Sequence, residues 1–114
     1  MTSLSLAVEK QIAFHNSRAI TNNRNPKRPL EGYRILDLTS VVLGPYCTQL
    51  LGVLGADVIK IESPDGDIMR HAGPMVSSGM GPLYLTINRN KRAMSLDLRK
   101  QGAKDILKKL IGTA

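Results

Sequence analysis

Apolar and polar positions alternate in blocks along the middle of the chain. The first block, Ile35-Leu36-Asp37-Leu38, is short and ends at Thr39-Ser40, which predicts a β-strand over about 33–39. Gly44-Pro45 opens a longer segment that closes at Gly55. Pro45 suits the first turn of a helix, where its missing N–H has no intrahelical partner to lose. Gly55 suits the position that ends one. Tyr46, Cys47, Leu50, Leu51, Val53 and Leu54 cover most of that helix's circumference, so the pattern predicts a largely buried helix. Val58-Ile59-Lys60-Ile61, closed by Glu62, predicts a second strand over 57–62, apolar enough for the interior of a parallel sheet.

Residues 63–83 hold three prolines and four glycines, which predicts a long loop with little regular structure. Loops of that length inside a domain are usually functional or mobile. Tyr84–Asn88 reads as a short extended piece, and Asn88-Arg89-Asn90-Lys91-Arg92 as a polar basic turn. Met94, Leu96 and Leu98 alternate with Ser95 and Asp97, the period of a third strand. Ala103, Ile106, Leu107, Leu110 and Ile111 then recur at helical spacing, with Lys100, Lys104, Lys108 and Lys109 on the wet side. Strand, helix, strand, loop, strand, helix is the order of an α/β fold: a partial Rossmann-like parallel sheet with crossover helices. Ile111–Ala114 stop where a further strand is expected, so residues 30–114 read as an incomplete part of a larger domain. An open sheet edge and uncovered apolar faces predict marginal stability and a tendency to associate.

Residues 1–29 form an N-terminal extension, either flexible or weakly helical through Leu4, Leu6, Ala7, Val8, Ile12, Ala13 and Phe14. The segment from Thr21 to Pro29 is a polar linker. A mitochondrial presequence is the alternative for this basic segment, with Glu9 and weak arginine periodicity against it.

Composition changes the picture in four ways. Hydrophobic content of 42% fits a globular chain, while aromatic content of 4% leaves the core to Leu, Ile, Val, Met and Ala. No apolar run reaches the ~18–20 residues of a membrane span, so no membrane is expected as partner. The net charge of +7 gathers at residues 1–34 and 99–109, which favours an anionic partner such as a phosphorylated small molecule. A single cysteine, Cys47, excludes an internal disulfide and fits a reducing, cytoplasmic setting.

Candidate chemistry centres on Thr39–Gly44, between the first strand and its helix. Ligands of open α/β sheets bind at the carboxyl ends of strands, and helix N-termini favour phosphate. A bare connection fits the same residues, and the pattern leaves both open. Glu62 ends strand two where dinucleotide-binding folds place a ribose-holding acid. However, G-x-G-x-x-G is absent, and Val41-Val42-Leu43 would keep the backbone from a pyrophosphate. Asp65 and Asp67 flank Gly66 with His71 nearby, which reads as a solvated turn rather than a metal site. Cys47 reads as a small buried core residue. The basic turn 88–92 fits either a phosphate contact or a solvated turn. Without an aromatic platform or helix-turn-helix pattern, nucleic acid is not an expected partner.

Three stretches together resemble a family. They are Leu30–Glu62 (LEGYRILDLTSVVLGPYCTQLLGVLGADVIKIE), Pro64–Arg70 (PDGDIMR) and Asn88–Leu98 (NRNKRAMSLDL). In that order they are similar to the N-terminal part of the class III CoA-transferases, the CaiB/BaiF type that includes formyl-CoA:oxalate CoA-transferase. The resemblance implies transfer of CoA from an acyl-CoA to a carboxylic acid through mixed anhydrides and a thioester on an aspartate. It implies an interlocked homodimer and no metal or redox cofactor, the CoA thioester being substrate. Carried over, Val41, Val42 and Leu43 would contact CoA. So would Leu96, Asp97, Leu98 and Arg99, while Ser63 stands where some relatives place an arginine on the CoA phosphates. Gln49 falls near the acyl site. The family's catalytic aspartate lies beyond the equivalent of Ala114, and Asp37, Asp57 and Asp97 do not match it. The resemblance therefore implies a fragment that is inactive alone. The alternatives are a small stand-alone domain for CoA or another nucleotide, and an interaction module.

Overall fold

The computed structural model describes residues 28–114; the helical reading of residues 4–14 lies outside them. The elements are β1 (Arg34–Asp37), α1 (Leu43–Val53), β2 (Asp57–Glu62), a 3-10 turn (Ile68–His71), α2 (Pro82–Ile87), β3 (Lys91–Ser95) and α3 (Gln101–Ile111). The strands form one parallel sheet in the order β1-β2-β3. Arg34 pairs with Asp57 and Asp37 with Lys60 on one side; Val58 pairs with Lys91 and Glu62 with Ser95 on the other. This is the α/β parallel architecture that the alternation predicts.

The core lies along the central strand. Val58 through Glu62 are all buried, and Ala56, Tyr84 and Ile87 complete the apolar interior. α1 differs from expectation. Its buried residues are Pro45, Gln49 and Gly52, while Tyr46, Leu50, Val53 and Leu54 are exposed. The helix turns its small and polar side to the sheet: a Cβ on Gly52 would lie 3.5 Å from Val58 Cγ2 and 3.4 Å from the Asn90 carbonyl. Cys47 is exposed, not a core residue, because it sits on the outward side. Gly55 ends the helix with φ of 107°, and Leu30 N–H closes onto the Leu54 carbonyl.

Tyr84–Asn88 is not extended. Pro82 starts α2, and Tyr84 and Ile87, three apart, are its two buried residues. That spacing puts both on one helical face. β3 begins earlier than the Met94–Leu98 alternation suggests, at Lys91, so Lys91 and Arg92 belong to a strand rather than a turn. Its pairing ends when Leu96 N–H reaches the Glu62 carbonyl at 2.9 Å, and Leu96 and Leu98 continue beyond the sheet. The loop 63–83 is broken by the 3-10 turn, where Gly81 packs so closely that a Cβ would meet the Met69 carbonyl at 2.3 Å. α3 is the predicted amphipathic helix, yet none of its residues is buried.

Candidate functional site

Buried charges from all three strands meet beside the carboxyl end of β1. Asp37, the last residue of β1, is fully buried. Its Oδ1 accepts from the Thr39 backbone N–H at 2.9 Å and from the Thr39 hydroxyl. Its Oδ2 accepts from Thr48 Oγ1 at 2.7 Å and from Lys91 Nζ at 2.9 Å. Burial alone would raise this carboxyl's pKa. The bonds from Thr39, Lys91 and Thr48 outweigh it and bring the value to about 2. Lys91 Nζ also donates to the Pro45 carbonyl at 2.7 Å and to Asn88 Oδ1 at 2.8 Å, so its three protons are all used. Burial lowers its pKa, opposed by Asp37.

A second buried pair lies beside the first. Lys60 Nζ sits 2.9 Å from Asp67 Oδ2, both side chains being 1% exposed, and donates to the Thr39 carbonyl at 2.9 Å. Asp67 Oδ1 accepts from the Met69 N–H at 3.0 Å and more distantly from the Val41 N–H at 3.4 Å. Burial pushes the Asp67 carboxyl up, but the Met69 N–H, Lys60 and Val41 hold it below its ordinary value. Asp67 is thus not part of a solvated turn. A carboxylate so close to a buried ammonium folds inward rather than facing water. Val41 adopts φ of 72°, a left-handed conformation that is a genuine outlier for a β-branched residue.

Glu62, at the end of β2, anchors the excursion that follows. Arg70 Nε reaches Oε2 at 2.7 Å and Arg70 Nη2 reaches Oε1 at 2.9 Å, while the Tyr84 hydroxyl donates to Oε1 at 2.6 Å. The Arg70 guanidinium lies 4.0 Å from the Tyr84 ring centroid. Burial would raise the Glu62 pKa; Arg70, Tyr84 and the Asp67 N–H bring it to about 2. The same burial and the Glu62 charge push the Tyr84 phenol up.

Above Glu62 opens a cleft of about 510 Å³ at the carboxyl ends of β2 and β3. Leu38, Ile61, Pro64, Leu96 and Leu98 give it apolar walls; Ser63, Asp65, Asp97 and Arg99 give it polar ones. Five of the eight residues singled out in the sequence therefore share one cavity: Ser63, Leu96, Asp97, Leu98 and Arg99. Val41, Val42 and Leu43 do not line it. They form the turn from β1 into α1, with Val41 half-exposed and Leu43 84% exposed. Gln49 is buried in α1. Arg99 Nε contacts Asp97 Oδ1 at 2.8 Å on the surface, so an anion reaching Arg99 competes with that carboxylate.

The loop after β1 is less open to an external anion than its position suggests. The Thr39 and Val41 N–H groups already point at Asp37 and Asp67. Nor is the segment 88–92 a free basic patch. Lys91 is buried on Asp37, and Arg92 Nη2 bonds Asp57 Oδ2 at 2.7 Å. Among the described residues, no group of three or more His, Cys, Asp or Glu side chains gathers to hold a metal ion, and no helix is long and apolar enough to cross a membrane. Lys60, Lys91, Asp67, Arg70 and Tyr84 were not singled out for this site. Lys60 carried a signal: a charge inside an apolar run predicted to be buried demands a partner.

Residues 30–114 match the family model of CoA-transferase family III. The chain is 49% identical over 73 residues to succinyl-CoA:mesaconate CoA-transferase of Haloarcula hispanica, covering 60% of this chain and 18% of that protein. It is 42% identical over 90 residues to human succinyl-CoA:glutarate CoA-transferase, covering 78% and 20%. A crystal structure of a CAIB/BAIF family protein from Brucella suis superposes with a TM-score of 0.70 at 34% identity, covering 75% of this chain and 24% of that one. The chain spans about a fifth of the length of the curated relatives it matches.

Proposed function

The chain belongs to CoA-transferase family III, and from that membership we propose that it forms the CoA-binding N-terminal portion of an enzyme moving CoA from an acyl-CoA to a carboxylic acid. The observation that carries the reading is the shared cleft. Ser63, Leu96, Asp97, Leu98 and Arg99, which the family resemblance assigns to CoA, line one cavity with apolar walls and a polar rim whose cation is Arg99, paired with Asp97. Such a mixed apolar and polar cavity suits an extended amphipathic arm with an anionic group within reach of Arg99. The Val41–Leu43 turn then forms a separate wall at the end of the neighbouring strand.

The chemistry requires a carboxylate free to attack a thioester. Asp37, Asp57, Glu62, Asp67 and Asp97 are each held by cations, and all five are pulled below their ordinary pKa. Weakly basic, occupied carboxylates make poor nucleophiles. On this reading the segment binds CoA and those five carboxylates hold structure rather than attack; the nucleophile is the aspartate that the family resemblance places in the remainder of the enzyme, which works as a homodimer without metal or redox cofactor. The exposed apolar side chains of α1 and α3 support such a covering partner surface.

Titrating the purified chain with CoA in a calorimeter tests this. Binding is expected, with affinity falling about tenfold or more in Arg99→Glu, the size of one lost charge contact. No transfer is expected when an acyl-CoA and an acid are supplied. A chain that ignores CoA, binds it equally after Arg99→Glu, or turns it over unaided overturns the reading.

A further inference from the structure

Val41 sits in a conformation it would not choose. A β-branched residue at φ of 72° persists only where its surroundings over-determine it. The turn is tied at several points. Thr39 donates its N–H to Asp37 and its carbonyl accepts from Lys60 Nζ; Val41 donates its N–H to Asp67; the Val42 carbonyl accepts from the Tyr46 N–H at 2.8 Å. Two of these ties run to the Lys60–Asp67 pair. Lys60 belongs to β2, and Asp67 lies four residues beyond Ser63 of the cleft. The pair therefore joins the turn after β1 to the segment after β2.

We propose that Lys60 and Asp67 are positioning residues that hold Val41 in its left-handed turn and so fix the Val41–Leu43 wall relative to the Ser63 side of the cleft. The assignment rests on the reading of both walls as CoA contacts. Neither side chain touches CoA itself, since both are buried; they act through the backbone of Thr39 and Val41. Both ties fall on the backbone of one turn: Lys60 Nζ donates to the Thr39 carbonyl, and Asp67 Oδ1, which caps the 3-10 turn by accepting from the Met69 N–H, also accepts from the Val41 N–H.

Removing one partner would strand a charge in the interior and risk unfolding, so the test uses two double variants. Lys60→Met with Asp67→Leu removes both charges and the acceptor. Lys60→Met with Asp67→Asn removes both charges and keeps an oxygen for the Val41 N–H. Amide hydrogen exchange followed by NMR is expected to speed up at Val41 by about tenfold or more in the leucine variant, with β2 amides still protected. CoA affinity is expected to fall about tenfold in parallel. The asparagine variant is expected to recover most of both. Equal Val41 exchange in the two variants overturns the assignment alone, as does unchanged CoA affinity in the leucine variant. A wild-type chain that fails to bind CoA overturns the underlying reading and the CoA half of this one, leaving Val41 exchange to decide the loop half.

Discussion

The carboxyl edge of the sheet and the flanking helices are built on opposite principles. At the edge, Asp37, Lys60, Asp67 and Lys91 are buried charges whose partners come from three strands and two loops. On the flanks, Leu43, Leu50, Val53 and Leu54 of the α1 region and Ile106 and Ile111 of α3 are exposed apolar groups. A lone buried charge is costly, and a buried pair tied to several segments constrains where each of them can lie. An exposed apolar face constrains nothing within these residues. The contrast teaches that the edge is where this segment fixes its own geometry, while the flanks leave apolar surface bare.

The sharpest way to break the contrast is at Asp37. Asp37→Ala leaves the Lys91 ammonium buried without its carboxylate, a loss expected at about 3–5 kcal/mol by urea denaturation. That is a large share of the stability of any small domain. A loss under about 1 kcal/mol would mean that water reaches Lys91 and that the edge is not dry.

Acid titration probes the same edge without mutation. Asp37 and Glu62 both fold with pKa of about 2, below the values of 3.8 and 4.5 for free side chains. Between these limits the unfolded chain binds more protons than the folded one, so stability falls as pH falls. Stability is expected to hold above about pH 4.5 and to drop between pH 4 and 2, by on the order of 2 kcal/mol for each carboxylate. Thermal melts across that range check it; a midpoint flat from pH 5 to 2.5 would sink it. Tyr84→Phe is a milder step. It removes one hydroxyl that bonds buried Glu62 at 2.6 Å while leaving Arg70 in place, with an expected cost of about 1.5 kcal/mol. A change within error would place the whole grip on Glu62 with Arg70.

The sequence announced the strands and helices wherever a period was long enough to read. β1, α1, β2 and α3 fall where Ile35–Leu38, Gly44–Gly55, Val58–Glu62 and Ala103–Ile111 put them. Six-residue α2 was missed because Tyr84 and Ile87 offer a single helical repeat. The start of β3 was hidden because Lys91 and Arg92 look like turn residues until their partners Asp37 and Asp57 are known. Those partners are 54 and 35 residues away, and no local pattern carries such distances. The partner of Asp67, Lys60, is equally invisible to a local pattern. The cleft residues Leu96–Arg99 follow from family resemblance, whereas period alone assigns three of them to a strand. What the periodicity of α1 could not say is which side of an apolar helix faces the sheet. Gly52 decided that by allowing close approach.

The flanks offer the smallest and most discriminating test. Leu50→Gln replaces a half-exposed side chain on the outward face of α1. If that face is bare in the isolated chain, folding stability should shift by less than about 0.5 kcal/mol, as at ordinary surface positions. Self-association should weaken, since a polar group now interrupts the apolar stripe that runs through Leu43, Leu50 and Leu54. Sedimentation velocity and urea denaturation on the same samples separate the two effects. A stability loss above about 1.5 kcal/mol would mean that the chain covers Leu50 in solution by its own means. The division between a self-sufficient edge and waiting flanks would then fail at its weaker side.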